Sequence, residues 1–159
     1  MPPYIFNEKL FDFSTIYLPL GPVLVVPIGS MIDGLNHLNG KEIAVISGST
    51  SPLILEGSTG VLIREYDSIP KALNDVVNGT VDGAMIDILS AVAYCNDLYQ
   101  GKLKVATQPI NDEGLRLVTK HGAAPDLISG FDEGLAKLKR NGSYDALLKK
   151  WNLAEVPSP

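Results

Sequence analysis

Short apolar runs rich in β-branched residues alternate with segments of helical spacing through the first two thirds of the chain. Val23-Leu24-Val25-Val26, framed by Pro22 and Pro27, has the form of a strand buried on both faces. Ile43 to Ile46, Val61-Leu62-Ile63, Ala84-Met85-Ile86 and Leu103 to Ala106 predict four more strands. Between them, Asp67-Ser68-Ile69-Pro70 carries the capping residues and early proline of a helix start. Ile69, Ala72, Leu73, Val76 and Val77 then share one face before Asn78-Gly79 closes the helix. Ile88 to Leu98 predicts another helix, apolar on more than one side and therefore well buried. This alternation predicts an α/β fold with a mainly parallel sheet flanked by helices. The chain carries no internal repeat and no low-complexity segment.

The final third is patterned differently. Leu115-Arg116-Leu117-Val118 predicts a short strand, and two amphipathic helices follow from Asp126. Leu127, Ile128, Phe131, Leu135 and Leu138 form the stripe of the first. Asn141-Gly142 breaks it, Ser143 is suited to cap the second, and Tyr144, Leu147, Leu148 and Trp151 give that helix its apolar face. Core packing accounts for such stripes. Ala154 to Pro159 reads as a frayed tail.

Composition narrows the function classes. The chain has 159 residues, 45% hydrophobic and 19% charged, which is ordinary globular usage for a domain with a real core. A net charge of −5 and the absence of a basic run interleaved with aromatics argue against a nucleic-acid partner. Lys137, Lys139 and Arg140 cluster at a predicted helix end, where they complement the helix dipole. The lone Cys95 excludes an internal disulfide, and His37 and His121 offer no zinc-ligand spacing, so neither metal nor cofactor is expected. The first residues lack the basic start and long apolar core of a signal peptide. The longest nearly apolar run, Ile16 to Ile28, is too short to span a bilayer and is interrupted by prolines. These features predict either a cytosolic chain or one whose N-terminus has been removed.

Two polar stretches carry the candidate chemistry. Strand Ile43 to Ile46 runs into Ser47-Gly48-Ser49-Thr50-Ser51-Pro52, where hydroxyls and backbone NH groups suit an anion. Strand Ala84-Met85-Ile86 ends in Asp87, a carboxylate suited to a cation. Each has a plainer reading: Ser51 before Pro52 is a good helix cap, and Asp87 can cap the helix beginning at Ile88. Gly48 favours a ligand, because a glycine after a strand lets the backbone approach closely. Both stretches also follow the C-terminal ends of strands, where parallel α/β sheets bind ligands. The first lacks the lysine and spacing of a nucleotide P-loop. Together the two would hold a zwitterion, for which an α-amino acid is the obvious candidate. Asn78-Gly79-Thr80 and Asn141-Gly142-Ser143 match glycosylation acceptors, but helix termination explains both.

The order of segments resembles the polar amino-acid-binding family of solute receptors that feed ABC importers, with a type II periplasmic binding fold. Four pieces carry the resemblance: Phe11 to Tyr17; Leu38-Asn39-Gly40-Lys41 leading to Gly48-Ser49-Thr50; Asn78 to Gly83 ending at Asp87; and Leu138 through Gly142-Ser143-Tyr144 to Trp151. The resemblance implies that Gly48, Ser49 and Thr50 lie near a ligand carboxylate, that Asp87 pairs with its ammonium, and that Ile46 touches the ligand; Ser51 joins the candidate ligand residues through its hydroxyl in the same stretch. The resemblance also implies an amino-acid ligand, membrane subunits of an ABC importer as partners, and a periplasmic or extracellular location that allows a lipid anchor.

The departures from the family pattern matter as well. Asn7 stands where the family usually carries arginine, and Ile16 stands where it usually carries proline. Most of the family's first lobe is expected to be missing. On this reading residues 1–22 are a crossover segment, 23–106 the second lobe, and 107–159 a return strand with helices belonging to the first lobe. Those helices would lose the sheet they normally cover, so the chain is expected either to fold them onto its own lobe or to form oligomers. Two other functions stay open: a lobe repurposed for interaction without ligand, and a dehydratase-like enzyme using Asp87 or Glu113 as acid or base.

Overall fold

The structure, a computed structural model, describes residues 5–151 and 153. The predicted tail lies outside the described residues. In chain order the elements are α1 (Ile5–Glu8), β1 (Phe11–Phe13), β2 (Leu18–Pro19), β3 (Pro22–Pro27), a 3-10 turn (Leu35–His37), β4 (Glu42–Ile46), α2 (Ser51–Glu56), β5 (Leu62–Tyr66) and α3 (Ile69–Val77). They continue with β6 (Gly83–Asp87), α4 (Ile88–Asn96), β7 (Leu103–Val105), β8 (Gly114–Leu115), β9 (Val118–Lys120), α5 (Pro125–Arg140) and α6 (Ser143–Lys150). The chain forms two compact units, one of residues 22–110 and the other built from the segments before and after it.

The first of these is a three-layer α/β unit. Its sheet has the order β5-β4-β6-β3-β7. β4 pairs in parallel with β5 and β6, whereas β3 pairs antiparallel with β6 and β7, so four strands share one direction and β3 alone is reversed. The sheet is thus mainly parallel, as the alternation predicted. The continuous apolar runs follow from burial on both faces. Val23, Val25, Ala44, Ala84 and Ile86 pack with α3 and α4, while Leu24, Val26, Ile43, Val45 and Met85 pack with Leu55 of α2 and Leu38 beside the 3-10 turn.

The structure adjusts several predicted boundaries. β5 runs past the apolar Leu62-Ile63 through Arg64 and Glu65 to Tyr66, because an edge strand has a ladder on one side only and carries charges there at little cost. Val77, assigned to the apolar face of α3, is partly exposed at the end of that helix. Ser68 does occupy the cap position of α3, with Pro70 in the first turn.

In the other unit, β1 pairs with β9 and β2 with β8, both antiparallel. The strand expected over 115–118 is therefore split in two. The buried Ser14 causes the interruption: its hydroxyl accepts from the Leu117 NH at 2.8 Å, and its carbonyl accepts from Arg116 at 3.1 Å. Ser143 is the first residue of α6 and not its cap. Gly142 takes that position with φ +78°, which an L side chain rarely adopts. Tyr17 meets Phe131 edge-to-face at 5.8 Å, and Thr15 donates twice to Asp132, so α5 is fastened to the segment between β1 and β2. The predicted stripe only partly finds cover. Leu135 is buried, but Leu127 is exposed, Leu138, Leu147 and Trp151 stay exposed along a groove, and Trp151 keeps 67% of its surface.

Candidate ligand-binding edge

The candidate residues are brought together by strand register. Val45 on β4 lies opposite Met85 on β6, and the two strands are parallel. Two residues further on they reach Ser47 and Asp87, so the Gly48 turn and the Asp87 carboxylate leave neighbouring strands at the same sheet edge. Adjacent strands lie about 4.8 Å apart. Pro22, the start of the reversed β3, pairs with Asp87, and its carbonyl accepts from the Ile110 NH at 2.9 Å. Both chain connections of this unit therefore leave it at the edge that carries Asp87.

The turn has a definite geometry. Ser49 NH donates to the Ile46 carbonyl at 3.0 Å, closing a four-residue turn with Gly48 in its third position at φ +78°. Ser47 NH donates to Tyr66 on β5 at 2.9 Å. The NH groups of Gly48 and Thr50 donate to no partner among the described residues, and Ser47, Gly48, Ser49 and Thr50 are all exposed. Ile46 is half-buried against the core beside α3 and α4.

Ser51 differs from its neighbours. Thr50 holds the cap position of α2, without a side-chain cap bond, and Ser51 is the first helical residue. Ser51 is 2% exposed and its hydroxyl donates to the Met85 carbonyl at 3.3 Å, tying α2 to β6. The capping account of Ser51 thus gives way to an anchoring one. Asp87 does cap its helix: Oδ1 accepts from the Ser90 NH at 2.9 Å. The carboxylate is nevertheless exposed and forms no ion pair among the described residues.

One polar contact at this edge has no counterpart in the sequence pattern. The Ser47 hydroxyl donates to Oε2 of Glu65 at 3.2 Å. Glu65 lies beyond the apolar run that predicts β5, so only the register of the extended strand reveals it. Glu113, considered as an acid or base, belongs to the other unit. Among the described residues no cluster of histidine, cysteine and carboxylates could hold a metal ion. Cys95 is buried, which pushes its thiol up to about 11 and keeps it protonated and unreactive at neutral pH.

No family model matches the chain. It is 30% identical over 149 residues to the ABC transporter glutamine-binding protein GlnH of Bacillus subtilis strain 168, covering 91% of this chain and 53% of that protein. It is 28% identical over 156 residues to the L-cystine-binding protein TcyJ of Escherichia coli K12, covering 94% and 57% respectively. Among solved structures, it is similar to the second substrate-binding domain of an amino-acid ABC transporter from Streptococcus pneumoniae Canada MDR_19A. That match has a TM-score of 0.69 and 28% identity, and covers 97% of this chain and 70% of that one. The chain spans little more than half the length of these curated relatives. These relatives are amino-acid-binding proteins, and the chain shares the type II binding fold of such substrate-binding domains.

Proposed function

We propose that the chain serves as an amino-acid-binding part of an ABC importer's solute receptor, working outside the cytoplasm and handing its ligand to the importer's membrane subunits. The observation that carries this reading is the juxtaposition of an exposed turn with unpaired NH donors and an exposed carboxylate at the ends of two adjacent parallel strands. Gly48, Ser49 and Thr50 receive the ligand carboxylate through NH and hydroxyl groups, and Ser51 holds that turn against β6 from beneath. Asp87 pairs with the α-ammonium through the oxygen that its helix cap leaves available, and Ile46 supplies an apolar contact. The names of the relatives support an amino acid as the ligand. None of the residues at this edge is needed as an acid, base or nucleophile, so the reading is binding without turnover. Among the described residues no helix is long and apolar enough to cross a membrane.

Calorimetry with a panel of amino acids tests this. Asp87→Asn is the informative variant, since asparagine caps a helix as well as aspartate but lacks the charge. Affinity is expected to fall about a hundredfold, in line with ~3 kcal/mol for losing one partner of a hydrogen-bonded charge pair. Unchanged affinity in that variant would exclude Asp87 as the ammonium partner.

A further inference from the structure

The same edge carries a second carboxylate. Register sets Val45 opposite both Glu65 on β5 and Met85 on β6, so the three residues form one row with side chains on one sheet face. Val45 and Met85 are fully buried in that row, whereas Glu65, on the edge strand, is exposed. Two residues on, the three strands reach Asp67, Ser47 and Asp87, and of the two carboxylates from the β5 side it is Glu65 that bonds to Ser47. The Ser47 to Glu65 hydrogen bond of 3.2 Å draws the Glu65 carboxylate along the face toward the Gly48 turn. Asp87 and Glu65 thus flank β4 from its two neighbouring strands, with the turn between them.

The cations closest in sequence do not neutralise Glu65. Arg64 pairs with Glu42 at 2.6 Å, and the Lys71 ammonium lies 6.0 Å above the Tyr66 ring. Glu65 enters no ion pair among the described residues. One carboxylate suffices for an α-ammonium. A second, unneutralised one on the other side of the turn lowers the free energy of a second cationic group and raises that of an anionic one.

We propose that Glu65 is a specificity-determining residue and that the ligand class is the basic amino acids, whose side-chain ammonium or guanidinium Glu65 receives. This inference rests on the reading of the edge as an amino-acid site and names the substrate class of that site. The fixed bond to Ser47 leaves the second carboxylate oxygen for the ligand and holds the group in place before binding. A guanidinium fits such an acceptor well, because it presents parallel NH donors to a carboxylate.

The test is calorimetry of the chain with L-arginine, L-lysine, L-glutamine and L-glutamate, repeated on Glu65→Gln and on Asp97→Asn. Asp97 is exposed at the C-terminal end of α4, a helix length of about 15 Å from Asp87 at its start, and controls for general negative charge. Arginine and lysine are expected to bind about tenfold tighter than glutamine, with glutamate weakest. Glu65→Gln should remove that preference while leaving glutamine binding unchanged, and Asp97→Asn should leave it intact. Equal binding of arginine and glutamine to the parent chain, or an equal effect of both substitutions, overturns the role of Glu65 but leaves the amino-acid site standing. Failure of all four ligands to bind overturns both.

Discussion

At the residue scale, the turn after β4 depends on one backbone conformation and one buried hydroxyl. Nothing lies within 4 Å of a Cβ built on Gly48, so the cost of Gly48→Ala comes from its φ of +78° alone. That cost is about 1 to 2 kcal/mol, and chemical denaturation should register it with the secondary structure unchanged. Ser51→Ala removes the bond to the Met85 carbonyl in a fully packed setting and is expected to destabilise by about 1 kcal/mol. Its effect on ligand affinity would come through the position of the turn. The protonated thiol of Cys95 predicts that alkylating reagents leave the folded chain unmodified at neutral pH and label it only on unfolding, which mass spectrometry would read directly. The pattern of residue types marked Gly48 and Asp87 as exceptional, because a glycine and a carboxylate ending apolar strands are chemically conspicuous. It set Ser51 apart only as a cap before Pro52, and not as a buried residue. Ser49, Thr50 and Ser51 are all small hydroxyl-bearing residues, and only packing decides that Ser51 turns inward.

At the element scale, the strands that the pattern located best are those buried on both faces. The reversed direction of β3 had no signature, since Val23-Leu24-Val25-Val26 reads the same either way along the sheet. The charged end of β5 and the split between β8 and β9 were hidden for related reasons: an edge strand and a ribbon interrupted by a serine do not keep an apolar rhythm. The β1–β9 ribbon also carries a pH dependence. Asp12 accepts from the Gly122 NH at 2.7 Å and pairs with His121 at 2.8 Å, and these contacts, the Gly122 NH first, hold its carboxyl below the ordinary value of 3.8. A lowered carboxyl stabilises the fold above its ordinary value, and that contribution is lost as pH falls below it through the lowered one. Amide exchange across β1 and β9 should therefore rise on acidification below about pH 4, and Asp12→Asn should remove much of that dependence. In the α/β unit Asp82 behaves alike. Burial opposes its ionisation, but the Glu42 NH and Lys41 outweigh it and lower its pKa.

At the scale of the whole molecule, the two units differ in how completely they bury their apolar surface. The unit of residues 22–110 encloses both faces of a five-stranded sheet, whereas the other leaves a groove of about 490 Å³ between apolar residues of α5 and α6 and the β2 region. Leu138, Leu147 and Trp151 on that groove are each at least two fifths exposed, which predicts self-association through the terminal helices. Light scattering over a concentration series should detect it, and Leu147→Lys should shift the chain toward monomer; a monomer throughout would remove the prediction. The sequence by itself determined the fold class, because the alternation of doubly buried strands with amphipathic helices is a local property of residue order. It also determined which groups could meet a zwitterion, because charge and hydrogen-bonding capacity belong to residue type. Tertiary structure alone decided which of those groups stand side by side. The parallel register of β4 and β6 brings the Gly48 turn beside Asp87, Ser51 is spent on the sheet, and Glu65 reaches the turn from a strand the sequence had ended before it. Register couples residues far apart in the chain, and no local pattern encodes it.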